Sequence, residues 1–543
     1  MERYADKIWF GAHIRTMDES LSEAQALASD KNGNILALGS DEDILALKGP
    51  KTELFDMNGA WIVPGLLDTH VHYRMYGESL LKLGIRDLSK EDILEKVREA
   101  AENAPAGKWI VGGMGWNNEV WADPSYPTRE ELDEAAPNNP VLLPRMDGHL
   151  IWVNSLAFEA AGVTEDTKDP EGGEFMRSAE GKLQGCCSNA AAAVIRGAIP
   201  QPGAEERKEA ILAAQAQMLA YGLTGISDMH DTPQDLRDVE ALYAEGKGKL
   251  RYCGTLGDCL NEKDPEENKA FLEKLPILGK FGGRYTVRCC KILSDGAVGA
   301  QSAALKEDFS DRPGHKGTLM YTPDELYHMV KTAAEHGLQV ATHSIGDAAI
   351  DEILDAYEAV LNEIPNPDHR WRIEHFQTVT NDSPQRAARL GVVASMQPMH
   401  APNSASMAMR RLGEKRIHGA YAAGLVMKST GWVAFGSDAP VSAPSPLSGI
   451  HAAVTRTNDQ LLPEGGFCME NAVSPMDALK GYTIWAARAV FADDVRGSLE
   501  PGKYADFTVL DRDVIEVAET APHDILKIKV LKTVIGGNCE YKA

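Results

Sequence analysis

Four short stretches of the chain carry side chains that could do chemistry, and a fifth pairs two of them: Thr69-His70-Val71-His72. In an extended strand alternate side chains share a face, so His70 and His72 point the same way, with Asp68 beside them. Neutral imidazole is the commonest metal ligand, and two on one face need little further arrangement to hold an ion. Two structural histidines satisfied by hydrogen bonds are the open alternative. The other stretches are "CCKILSDG" with Lys291, "ATHSIGD" with His343, "RIEHFQ" with His375 and "AFGSDAP" with Asp438. Each sets an ionisable group inside or just after an apolar run, where burial without a partner costs several kcal/mol. Taken singly, Lys291 could sit in a buried ion pair, His343 and His375 in the core, and Asp438 at a helix N-cap. Taken together, five strand ends delivering His, Lys or Asp fit a shared site far better than packing.

The elements that must position these groups alternate short apolar strands with amphipathic helices, the pattern of a parallel sheet with crossover helices. Eight strand candidates stand out, at 61–72, 224–230, 251–256, 285–293, 338–344, 370–376, 391–397 and 431–438. Helices are clear between several of them. One ends at Gly222; another begins at Thr322 with a capping-box Glu325 and ends at Gly337, placed as a C′ residue. Eight such units predict an α/β fold of the (β/α)8 TIM-barrel type. The stretch 73–223 between the first two strands far exceeds an ordinary loop of about 2–6 residues and is expected to be an inserted lid or specificity subdomain. Both chain ends read as strands, so residues 1–60 and 490–543 are expected to form one composite β-sandwich domain beside a 61–489 barrel.

The set of His70 and His72, Lys291, His343, His375 and Asp438 on strands one, four, five, six and eight resembles the amidohydrolase superfamily. The wording "VPGLLDTHVH", "KILSDG", "ATHSIGD", "RIEHFQ" and "AFGSDAP" is similar to its amidohydrolase-3 branch, the YtcJ-like and N-substituted formamide deformylase-like proteins. The resemblance spans essentially the whole chain, including "LEPGKYADFTVLD" near its end. It implies two divalent metal ions, zinc first, with manganese or iron also suited to the nitrogen and oxygen donors. His70, His72 and Asp438 would hold the more buried ion. Lys291, carboxylated on its amine, would bridge to a second ion held by His343 and His375. Asp438 would also be the general base and then acid in hydrolysis of a non-peptide C–N bond of an N-acyl or N-formyl compound. A deaminase of an aminated ring, or an ester, lactone or phosphoester hydrolase, are the rival readings. His149, His230, Trp116 and Gln397 are the expected substrate contacts, with Asp147, His400 and Trp121 as weaker candidates. The resemblance also implies a homodimer.

Composition bounds what else the chain does. A net charge of -25, with no cluster of Lys and Arg, argues against nucleic acid. No apolar run of about 18 residues suggests a membrane span, and the N-terminus lacks the basic-then-apolar layout of a signal peptide. A soluble cytoplasmic protein with a small-molecule substrate is the expectation. The eight cysteines include the adjacent pairs Cys186-Cys187 and Cys289-Cys290, best read as small buried apolar residues.

Overall fold

Eight parallel strands form the centre of the computed structural model, which describes residues 4–86, 88–146, 149–380 and 382–543. They are β1 (Leu66–Val71), β2 (Leu223–Asp228), β3 (Arg251–Leu256), β4 (Tyr285–Leu293), β5 (Gln339–Ser344), β6 (Arg372–His375), β7 (Val393–Met396) and β8 (Ala434–Phe435). Each pairs in parallel with the next. A parallel bridge from Val71 to Ala439 then brings the segment after β8 back beside β1, giving a nearly closed TIM barrel. The strands are buried almost throughout, which is why they read as continuous apolar runs rather than alternating ones.

The crossover helices follow their local chemistry. The helix Pro323–Glu335 is N-capped by Thr322, whose side chain accepts from the Glu325 N–H while Glu325 returns the bond, and Gly337 beyond it takes φ +67°. The helix ahead of β2 runs over Ala204–Ala220.

One strand expectation needs correction. The stretch 61–72 is two strands, not one, because the chain breaks at Gly65. A Cβ at that position would stand 2.2 Å from Thr224 Oγ1, so only glycine lets the segment pass β2 this closely. The first part, Trp61–Pro64, leaves the barrel and pairs antiparallel with Phe507–Leu510 and in parallel with His13–Arg15. These belong to a six-stranded sheet that also holds Val530–Ile535 and Asn538–Lys542, so strands from both ends of the chain share it. A four-stranded sheet of Ala5–Phe10, Ala26–Ser29, Ile35–Gly39 and Lys48–Asp56 packs against it through Trp9, Leu27, Ile62 and Phe507.

The chain divides into two compact units, Met1–Tyr76 with Ala214–Ala543, and Gly77–Ala213. The second has its own five-stranded sheet, in which Val141–Pro144 and Leu150–Val153 form an antiparallel pair. Its core is built on Trp116, Trp152, Leu143 and Cys186. Among the described residues no helix is long and apolar enough to cross a membrane.

Candidate active site

The C-terminal ends of the barrel strands open on a cavity of about 510 Å³ lined by His70, His72, Lys291, His343, His375 and Asp438 among others. All six residues singled out from the sequence are therefore brought together. The strand register accounts for this: Leu293 pairs with His343, and Ser344 pairs with His375, so neighbouring strands deliver their polar ends at one level.

Hydrogen bonds to the far side of each ring decide which nitrogen faces the cavity. A carbonyl or carboxylate oxygen can only accept, so the ring nitrogen beside it must carry the proton. His70 Nδ1 donates to Glu374 Oε2 at 2.6 Å, and His72 Nδ1 donates to the Met229 carbonyl at 2.9 Å. Both therefore turn a lone pair on Nε2 toward the cavity. His375 Nδ1 donates to Gln397 Oε1 at 2.8 Å, freeing its Nε2 in the same way. In His343 the order is reversed: Nε2 donates to the Gly296 carbonyl at 3.2 Å and Nδ1 is free.

The free nitrogens of His70 and His72 lie 3.5 and 3.2 Å from Asp438 Oδ1. Three acceptors thus converge with no hydrogen among them, and His70 Nε2 is buried without a hydrogen-bond partner. Such an arrangement is unfavourable unless a cation occupies its centre. Neutral imidazoles and an ionised carboxylate are also the donor set that zinc takes. A second group, His375, His400 and Asp438, offers donor atoms within 4.8 Å of one another.

The electrostatics keep these groups in ligand form. Burial is the main cause that pushes the His70 and His343 imidazolium pKa values down to about 4. Burial and the neighbouring His343 lower that of His375 as well. Lys291, almost wholly buried, has its pKa lowered by desolvation against the pull of Glu374 and Asp438.

Several cavity residues are among the seventeen described non-glycine residues with positive φ. His375, Asp438 and His230 sit in the left-handed region, at φ +73°, +60° and +65°. Non-glycine residues adopt it at a cost of about 1–3 kcal/mol, which is tolerated chiefly where a side chain must be aimed.

The expected substrate contacts fare differently. His230 lines the cavity, with Nε2 3.1 Å from Asp258 Oδ2. His149 is an exposed residue of the Gly77–Ala213 unit, its Nδ1 3.0 Å from Asn189 Oδ1. Asp147 lies outside the described residues. Trp116 is fully buried in that unit's core, its indole N–H donating to the Leu143 carbonyl at 2.7 Å, so it presents no surface to a ligand. Trp121 packs beside it, ring centroids 5.8 Å apart. Gln397 uses its carbonyl to orient His375.

Two residues went unnoticed in the sequence. Glu374, fully buried, orients His70, and Arg372 Nε lies 2.6 Å from Glu374 Oε1 while its Nη2 donates to both the Thr69 carbonyl and Ser395 Oγ. The signal was there: opposite charges two apart in a buried strand share one face and form an ion pair beneath the site.

Comparison with known proteins places this site in a family. The model of the amidohydrolase family matches residues 53–541. The putative amidohydrolase YtcJ of Bacillus subtilis is 32% identical, over 98% of this chain and 99% of its own. The N-substituted formamide deformylase of Arthrobacter pascens is 29% identical over 100% and 99%. Among solved structures, an uncharacterized metal-dependent hydrolase from Pyrococcus furiosus superposes with a TM-score of 0.77 at 28% identity, covering 94% of this chain and 99% of its own. The chain belongs to the amidohydrolase family. It is a metal-dependent hydrolase of carbon–nitrogen bonds acting on small molecules.

Proposed function

We propose that the protein hydrolyses the C–N bond of a small N-acyl or N-formyl amide, using two zinc ions. His70, His72 and Asp438 would hold one ion; His343 and His375 would hold the other, with Lys291 as an N6-carboxylated bridge. The observation that carries this reading is the convergence of His70 Nε2, His72 Nε2 and Asp438 Oδ1. When bound, the metal would supply Lewis acidity, lowering the pKa of water to near neutrality and polarising the substrate carbonyl.

The chain's own residues do the rest. Asp438, ionised and with Oδ2 turned toward His400 rather than toward His70 and His72, takes a proton from the attacking water and returns it to the departing nitrogen. Water adds to the carbonyl carbon, the C–N bond breaks, and a carboxylate and an amine leave. Lys291 is suited to its role because burial favours the neutral amine, the form that adds CO₂. Glu374, Gln397 and the Met229 and Gly296 carbonyls keep the four imidazoles in their tautomers.

The deformylase relative supports N-formyl amides as substrates. Eight unpaired cysteines suit a reducing, cytoplasmic setting, and a homodimer follows from the family resemblance alone. We read 1–60 with 490–543 as one composite β-sandwich domain, 61–489 as the barrel domain, and 73–223 as its inserted specificity subdomain. The test is a panel of N-formyl and N-acyl amides assayed for amine release beside aminated heterocycles assayed for ammonia. Amide cleavage is expected; ammonia release with no amide cleaved would overturn the reading in favour of a deaminase.

A further inference from the structure

The geometry points to one more catalytic residue, His400, which presents an Nε2–H to the substrate's carbonyl oxygen on the side of the cavity facing Asp438. The inference rests on the hydrolase reading above and extends it. His400 opens the helix His400–Arg416 after β7, and its side chain lines the cavity while only about one-tenth exposed.

What separates it from His70, His72 and His375 is the group behind its ring. His70, His72 and His375 each have an oxygen acceptor at Nδ1. His400 Nδ1 instead faces the amide nitrogen of Gln377, at 3.3 Å. An amide N–H donates, so Nδ1 accepts and the ring proton belongs on Nε2. Gln377 is itself buried, and its backbone carbonyl accepts from the Tyr421 N–H at 2.6 Å. His70, His72 and His375 turn lone pairs inward; His400 turns a hydrogen inward.

That hydrogen has no partner within the protein. His400 Nε2 is buried and without a hydrogen bond, and Asp438 Oδ2 stands 3.7 Å away, beyond hydrogen-bonding reach. The His400 ring also lies nearly parallel to that of His375, 15° apart with centroids 6.2 Å apart, one ring removed from the metal-ligating set. A buried donor left unpaired costs stability, and in a hydrolase cavity the group that would satisfy it is the oxygen gaining charge. As water adds to the carbonyl carbon, the C=O π pair moves onto oxygen, and the Nε2–H of His400 bonds to it. As the pair returns, the C–N bond breaks and the nitrogen receives its proton from Asp438. His400 keeps its own proton throughout.

The competing role is ligation, since His375, His400 and Asp438 could also share an ion. Two variants separate the roles: His400→Phe keeps a ring without the N–H, and His400→Gln keeps an N–H donor. With metal-loaded enzyme, metal per chain, kcat and KM on the best amide of the panel, and acetohydroxamic acid binding by calorimetry are measured. His400→Phe is expected to keep its metal, to lose about 10²–10³ in kcat with little change in KM, and to bind acetohydroxamic acid at least about tenfold more weakly. His400→Gln should recover part of both losses. Metal loss in His400→Phe would overturn the inference by making His400 a ligand. So would kcat and hydroxamate affinity in His400→Phe indistinguishable from wild type, including the case where neither enzyme shows either. A wild type that cleaves no amide yet binds the hydroxamate at least tenfold better than His400→Phe would sink the substrate reading and keep the donor.

Discussion

Glu374 decides which nitrogen of His70 is free. Its carboxylate fixes the proton on Nδ1, and Arg372 keeps it ionised against burial. Outer partners of this kind are typically worth about 10–100-fold in metal affinity or activity. Glu374→Gln, which keeps the shape but drops the charge, is therefore expected to weaken metal binding about tenfold, measured by competition with a chromogenic chelator. Unchanged affinity would mean His70 needs no such support. The pH dependence of metal retention follows from the same environment. His70 and His343 take up protons near pH about 4 instead of at the ordinary 6.5. Protons compete with a metal only below that depressed range, so metal should stay bound as pH falls from 7 to about 5 and leave as it approaches 4; loss beginning at 6.5 would contradict this. At this scale the six ligand candidates were legible because ionisable side chains in apolar strands are conspicuous. The Arg372–Glu374 pair could have been read from its spacing, but the role of Glu374 could not, because it is set by His70, which lies 304 residues away.

The junction between the first and last barrel strands shows how elements place the candidate ligands. Gly436, just after β8, lies so close to β1 that a Cβ there would stand 2.6 Å from the His70 backbone nitrogen and 2.9 Å from Asp68 Oδ1. Asp68 Oδ1 accepts from the backbone N–H of both His70 and Ser437, stitching the two segments together. Gly436→Ala should push Asp438 away from His70 and His72, with metal content falling along with activity in a chain that still folds by circular dichroism. Retention of full metal content would show that the junction is slack. By contrast, Thr322→Ala removes only a helix cap and is expected to cost about 1 kcal/mol in denaturant unfolding while leaving activity unchanged. That cap and Gly337 could be read directly from sequence because both are local. The break at Gly65 could not, since it arises from the approach of Thr224 on another strand.

Across the whole molecule, long-range pairs join parts that sequence order keeps apart. Arg251 at the start of β3 is ion-paired with Asp506, near the chain's end, and its guanidinium lies over the Tyr504 ring at 3.6 Å. Both charged groups are buried, and removing one partner of such a pair typically costs about 3–5 kcal/mol. Asp506→Ala should lower stability by that amount in equilibrium unfolding; a change under about 1 kcal/mol would show that the tie is dispensable. The barrel's strand order was legible because each βα unit is a local pattern repeated. Which strands of the two chain ends meet was not legible, because tertiary packing rather than local pattern decides it. The most direct measurement is metal content per chain, by elemental analysis of protein purified without chelator in bicarbonate-containing buffer. About two zinc or similar ions per chain are predicted, with loss of metal in His70→Ala and Asp438→Ala; none, even after zinc is added back, would contradict the reading of this site as a metal centre.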